Sequence, residues 1–124
     1  MLHSRVQRIG HTIQKAIGDI LLNETTDPRL KFVSVAHVEM TKDVQNALVF
    51  VSLLSDEPAK AKAALDALES AKGYIKSLLS KRIALKFMPD LKFRIHEGAR
   101  HAADIDRILR DLASQRPPDE ETNN

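Results

Sequence analysis

Between Ala71 and His96 the chain carries seven basic residues, Lys72, Lys76, Lys81, Arg82, Lys86, Lys92 and Arg94, against one acid, Asp90. The net charge of the whole chain is only +2, so the remainder is acidic and the positive field belongs to this segment. A field concentrated on part of a small domain is the usual footprint of a polyanion site. Lys72 and Lys76 are four apart and therefore neighbours on one side of any helix that holds both. Gly73 stands between them and interrupts an apolar pattern of helical period, with Ala61, Ala64, Leu65 and Leu68 before it and Ile75, Leu78 and Leu79 after it. Glycine costs a helix interior about 1 kcal/mol relative to alanine, so Ala71-Lys72-Gly73 reads as a break between two helices. A helix beginning at Gly73 or Tyr74 presents unsatisfied amide hydrogens and a positive dipole end, which bind phosphate, and glycine lets a nucleic-acid backbone come close. A plain helix terminator also explains the glycine, though not the cations around it.

Other chemistry is thinly represented. The sequence has no HExxH, GxxxxGK[ST], GxGxxG or GxSxG motif and no cysteine, so neither a thiol nucleophile nor a thiolate metal site is available. The histidines (His3, His11, His37, His96, His101) are scattered, without the i, i+4 spacing of a helical zinc site. His96 and Glu97 would face opposite ways on a strand, a poor geometry for an acid–base pair. Four Phe, one Tyr and no Trp leave little aromatic surface for stacking bases. A cysteine-free chain without an apolar run of about 18–20 residues is expected to be cytoplasmic, and MLHSRVQRIG lacks the apolar core of a signal peptide.

The elements that position the cations follow from periodicity. At 124 residues the chain is sized for one domain, expected over residues 1–113, with an acidic tail at 114–124 that has nothing to pack and is expected to be disordered. Ser4 caps a first helix with the stripe Val6, Ile9, Ile13, Ala16, Ile17, Ile20 and Leu21, ending near Asn23. Asp27-Pro28-Arg29-Leu30 is a turn. A strand over Lys31–Met40 and another over Ala47–Leu54, joined by Thr41-Lys42-Asp43, form a hairpin. Both faces of the second strand are apolar, which fits either a central strand or an apolar outer face built on Leu48, Phe50 and Leu54 that docks a protein partner. Helices are expected over Pro58–Ser70 and Tyr74–Lys86, stopped by Met88-Pro89-Asp90. A third strand follows, burying Leu91, Phe93 and Ile95 and showing Lys92, Arg94 and His96. A closing helix over Ala99–Ala113 turns Ala102, Ile105, Ile108, Leu109 and Leu112 inward.

This is an α+β chain of αββααβ order with a C-terminal helix, its helices expected on one face of a three-stranded sheet, and it resembles the type II K-homology (KH) fold. That fold usually carries a GxxG loop that clamps nucleic-acid backbone. Here Ala71-Lys72-Gly73 stands in that place, and an Ala-x-Gly interhelical kink is similar to that of the bacterial ribosome-binding factor A family. Asp27-Pro28-Arg29-Leu30, Val38-Glu39-Met40-Thr41-Lys42-Asp43, Tyr74-Ile75-Lys76-Ser77-Leu78-Leu79 and Pro89-Asp90-Leu91-Lys92-Phe93 agree with the same family in order and spacing. After the last strand, where members carry Asp-x-Ser and a later glycine, this chain reads His96-Glu97-Gly98 and Ala102.

The resemblance implies a monomeric assembly factor, not an enzyme and without cofactor or metal, that binds the small ribosomal subunit and its rRNA. It implies a role in maturing the 5′ end of that rRNA, with release assisted by a ribosome-associated GTPase. The residues expected to meet RNA are Lys72, Gly73 and Lys76, supported by Lys81, Arg82, Lys86, Lys92 and Arg94. Arg5, Arg8 and Arg29 are candidates for a second RNA surface.

Overall fold

The computed structural model describes residues 4–96 and 101–114, with residues 101–105 described by their backbone alone. The element order is α1 (Arg5–Asn23), β1 (Val33–Met40), β2 (Asn46–Leu53), α2 (Pro58–Arg82), β3 (Asp90–Ile95) and α3 (His101–Ser114), with a short 3₁₀ turn at Pro28–Leu30. Helix α1 starts in a reciprocal cap: the Gln7 amide donates to Ser4 Oγ at 3.0 Å, and the Ser4 amide donates to Gln7 Oε1 at 3.1 Å. Its buried stripe is Ile13, Ile17, Ile20 and Leu21, as the periodicity requires. Gly10 lies where α1 crosses β1, and a Cβ there would stand 3.3 Å from the Val38 carbonyl oxygen and 3.3 Å from Met40 Cγ.

β1 and β2 form the expected antiparallel hairpin, with a bulge between Val35 and His37. Its connection runs on through Gln45, and Val44 adopts a left-handed φ of 60°. A β-branched residue resists that conformation, so the turn must be held by other bonds. Asp43 Oδ1 accepts the Thr41 hydroxyl at 2.6 Å and the Gln45 amide at 3.1 Å, while Thr41 Oγ1 accepts the Asn46 amide at 3.1 Å. The Val44 side chain meanwhile packs against the core.

β2 is the central strand, paired antiparallel with β1 and parallel with β3 in the order β1-β2-β3. That choice settles its two apolar faces. Ala47, Val49 and Val51 join α1, α2, Leu91 and Phe93 in one core, with α1 and α2 on the same face of the sheet, as expected for a KH-like α+β fold. Leu48 and Phe50 on the opposite face are also buried, at 0% and 2% exposure, so the expected docking face of Leu48, Phe50 and Leu54 does not exist as such. Only Leu54, just beyond the end of β2, is exposed.

The largest departure from the expected elements is α2. It is one unbroken helix of 25 residues, so the helix pair and the break at Ala71-Lys72-Gly73 are not formed. The reason is phase. Ala64, Leu68, Ile75 and Leu79 fall on a single buried stripe that runs straight past Gly73. Burying Ile75 and Leu79 contributes roughly 1.5–3 kcal/mol each, more than the ~1 kcal/mol that glycine costs. The helix also ends earlier than expected. Ile83 leaves in an extended conformation with its amide still bonded to the Leu79 carbonyl at 2.9 Å, which places Lys86 in the connection to β3. Ile83, Leu85 and Met88 pack against the core instead of continuing the helix. In α3, Ile108, Leu109 and Leu112 are half-buried as expected, and Leu109 and Leu112 face Met40, Thr41 and Asn46 across a groove. The expected start of that helix at Ala99 and the tail beyond Ser114 lie outside the described residues, whereas Ser114 itself is helical.

Two glycine substitutions are expected to act in opposite directions. A Cβ at Gly73 meets nothing within 4 Å on an exposed helix surface, so Gly73→Ala is expected to raise stability by about 0.5–1 kcal/mol. Gly10→Ala gains the same propensity but presses its Cβ on the Val38 carbonyl, a backbone atom that cannot rotate away, and is expected to lower the urea midpoint. Equilibrium denaturation of both variants checks this.

Candidate nucleic-acid interface

The buried stripe of α2 fixes where its cations go. With Ile75 and Leu79 turned into the core, Lys72 and Lys76 lie half-buried, their stems along the protein surface and their ammonium groups directed outward. β3 alternates likewise: Leu91 and Phe93 point into the core, so Asp90 and Lys92 share the other face. The Asp90 amide donates to the Gln45 carbonyl at 2.9 Å, which anchors the start of β3 beside the hairpin.

The outcome is a cluster built from two elements. Asp90 Oδ2 lies 3.1 Å from Lys92 Nζ and Asp90 Oδ1 lies 3.7 Å from Lys76 Nζ, while Lys72 Nζ is 3.1 Å from Glu69 one turn earlier. Partial burial pushes the Asp90 carboxyl up, but the hydrogen bond from Lys92 and the charges of Lys92, Lys72 and Lys76 outweigh it. The carboxyl is held below its usual range. Lys76 and Lys92 therefore reach one acid from two elements, with Lys72 one turn from Lys76 on α2 and paired to Glu69, a juxtaposition of cations suited to phosphate oxygens.

The remaining expected residues are dispersed. Lys81 is exposed in the last turn of α2, and Arg82 reaches Glu24 beyond the end of α1 at 3.5 Å. Lys86 lies over the ring of Phe87, 5.6 Å from its centroid. Arg94 is half-buried on the same face of β3 as Lys92 and donates from Nη1 to the Phe93 carbonyl at 2.9 Å. None of these side chains joins the cluster. The anion site expected at a helix start is absent, because the Gly73 and Tyr74 amides lie inside α2 and serve its backbone bonds. What Gly73 supplies is a bare, exposed helix surface beside Lys72 and Lys76.

Arg5, Arg8 and Arg29 do not form one second surface. The first two occupy the opening turns of α1, and Arg29 follows its end. The rest of α1 lies between them, from Arg8 to Asn23 about 22 Å at 1.5 Å per residue. Arg29 is also engaged: its Nη2 lies 2.7 Å from Asp27 Oδ2, and the Asp27 carboxylate accepts its Nε as well. Those Arg29 bonds hold the Asp27 carboxyl below its usual range.

Three features do not emerge from the sequence. Asp90 reads there as a helix stop and as the one acid of the basic segment, whereas its pairing with Lys76 and Lys92 does not emerge. Tyr74 is exposed next to Gly73, and Phe87 is 75% exposed within the basic segment. Among the described residues, no group of three or more His, Cys, Asp or Glu can hold a metal, and no helix is long and apolar enough to cross a membrane.

Known proteins similar to this chain agree on one family. A sequence profile described as ribosome-binding factor A matches residues 5–109. A ribosome-binding factor A from Halothermothrix orenii is 36% identical over 121 residues, covering 98% of both chains. The crystal structure of ribosome-binding factor A from Thermus thermophilus superposes with a TM-score of 0.65 at 24% identity, covering 73% of this chain and 93% of that one, a likeness of fold. A homology model of the Thermus thermophilus factor, fitted into an electron cryo-microscopy map of its complex with the 30S subunit, superposes with a TM-score of 0.60 at 25% identity. It covers 72% of this chain and 92% of that one.

The ion pairs of Asp90 set a pH dependence. A carboxyl held low in the folded state stabilises above its unfolded value, near 3.9, and that contribution is lost as pH falls through the lower folded value. The Asp90 side chain is 42% exposed, so its pairs contribute only about 0.2–1 kcal/mol each. Asp90→Asn is expected to be slightly less stable than wild type at pH 7, and chemical denaturation across pH should show the difference closing below about pH 4.

Proposed function

We propose, from the premise that the chain belongs to the ribosome-binding factor A family, that it binds the small ribosomal subunit through rRNA phosphates at the junction of α2 and β3. The family is one of ribosome-binding factors and not of enzymes. The observation that carries the reading is the meeting of Lys76 and Lys92 from two elements at the half-buried Asp90, with Lys72 one turn along α2 from Lys76 and the bare surface of Gly73 beside them. Lys81, Arg82, Lys86 and Arg94, in the same basic segment of the sequence, add to the attractive field. The fitted 30S complex of the Thermus thermophilus factor supports the choice of subunit.

Affinity comes mainly from phosphate contacts and counterion release, and specificity from the shape of folded rRNA more than from base edges. With few aromatic residues, the surface reads a backbone. In this role the protein acts as a cytoplasmic monomer that assists late assembly of the subunit and maturation of the rRNA 5′ end. A ribosome-associated GTPase assists its release.

Lys72→Ala combined with Lys76→Ala is expected to weaken co-sedimentation with small subunits. The slope of log K against log salt is expected to flatten by about 0.7–0.9 for each phosphate that the variant no longer neutralises. An unchanged slope in a folded double variant refutes the site. Gly73→Ala is expected to bind more weakly while being more stable, a combination that a purely structural glycine does not produce. For the maturation role, cells lacking the protein are expected to accumulate small-subunit rRNA with an extended 5′ end by primer extension, rescued by wild type and not by the double variant.

A further inference from the structure

Asp90 is the only acid between Ala71 and His96, and two cations of that segment, Lys76 and Lys92, reach it. Its two carboxylate oxygens are divided between two elements, Oδ1 toward Lys76 of α2 at 3.7 Å and Oδ2 toward Lys92 of β3 at 3.1 Å. The three side chains are about equally accessible, 33% for Lys76, 32% for Lys92 and 42% for Asp90, so the pairs face solvent and not the core. Exposed pairs of this kind contribute little to stability. What they do is hold two ammonium groups from separate elements at a common point, occupied by an oxygen anion of the chain itself. Carboxylate and phosphate both engage ammonium groups through charge-assisted hydrogen bonds of similar length. A phosphate that approaches the same two ammonium groups competes with the Asp90 carboxylate for them.

We infer that Asp90 is a built-in competitor for RNA phosphate, an affinity-limiting residue that keeps Lys76 and Lys92 positioned but engaged until a phosphate replaces its carboxylate. The inference rests on the proposed RNA contact of the α2–β3 junction and adds how that contact is moderated. Exchange of one oxygen anion for another makes the bound state shallow and the complex reversible. It also reduces salt dependence, because two of the lysines arrive already neutralised by an internal counterion.

The experiment measures binding of the full chain to purified small ribosomal subunits by sedimentation over a series of salt concentrations, with melting temperature recorded for each variant. Asp90→Asn keeps the shape of the side chain and the backbone bond to Gln45. It is expected to bind about two- to tenfold more tightly at low salt, with a steeper salt slope, despite its slightly lower stability. Asp66→Asn removes an acid of the same charge that pairs elsewhere on α2, with Lys62 at 3.0 Å. It is expected to leave affinity within about twofold at salt of about 0.1 M and above, where the ~15 Å along the helix from Asp66 to Lys76 exceeds the Debye length of ~10 Å. The gain from Asp90→Asn is expected to vanish in a Lys76→Ala/Lys92→Ala background.

A gain that survives in that background is a long-range charge effect and overturns the inference. So does equal or weaker binding by a folded Asp90→Asn while Lys76→Ala/Lys92→Ala still weakens binding, and in that case the RNA site itself stands. If Lys76→Ala/Lys92→Ala leaves affinity and salt slope unchanged, the RNA site fails and the inference with it. Asp90→Ser serves as the second variant should the asparagine not fold, with the same expected direction.

Discussion

A parallel pairing between β2 and β3 cannot be closed by a tight turn, so the chain must leave the sheet, cross its face and return at the same end. Helix α2 is that crossing, and much of the rest depends on it. At 25 residues it is roughly 37 Å long, whereas β3 with six residues extends only about 20 Å. The helix therefore has length to spare beyond the strand it covers, and the connection through Ile83–Pro89 brings the chain back to start β3 beside α2's flank. Asp90, the first residue of β3, thus arrives next to Lys76. The cation cluster is a geometric product of the crossover as much as of the basic residues themselves.

The same crossing explains why β2 has two apolar faces. A central strand between an antiparallel and a parallel neighbour leaves no edge in solvent, and α1 and α2 together cover one face through Val49, Val51, Ile13, Ile17, Ile75 and Leu79. The burial of Leu48 and Phe50 on the opposite face removes the apolar surface that a protein-docking module would need. Leu22, Phe32, Leu54 and Phe87 stay exposed elsewhere, and the proposed RNA recognition rests on charge near the α2–β3 junction. Because exposed ion pairs there are individually weak, their value lies in placing ammonium groups from two elements within reach of a single anion, and not in holding the fold together.

The strands, the first helix and the basic segment are legible in the sequence because each rests on a repeating signal: alternation in Leu91, Phe93 and Ile95, the helical stripe from Ile13 to Leu21, and a run of cations with one acid. The sequence misleads at α2 because a single glycine is a strong local signal, whereas the phase of Leu68 and Ile75 across it is a weak one until the core is known. Tertiary burial then overrides propensity. Arg29 misleads for the opposite reason: its partner, Asp27, is two residues away in the same turn, so its charge is engaged locally. Asp90 is legible as a helix stop, but its pairing with Lys76 joins residues from different elements and needs the fold.

Gly73 shows how the fold changes the meaning of a residue without changing its importance. Gly10 is repaid inside the protein, since the Val38 carbonyl leaves no room for a Cβ. Neither Gly73 nor Gly18 has any atom within 4 Å of a Cβ placed there, so empty space alone assigns no role. Their company differs: Gly18 lies by Leu21 and Leu22 on a groove away from the basic segment, whereas Gly73 lies between Lys72 and Tyr74 and one turn from Lys76. A cost of about 1 kcal/mol carried by an exposed helical position, with no cap and no close neighbour to return it, points outward to what approaches that surface. A group approaching this position would meet Lys72 and Lys76 with no side chain between them, the feature on which the proposed phosphate contact rests.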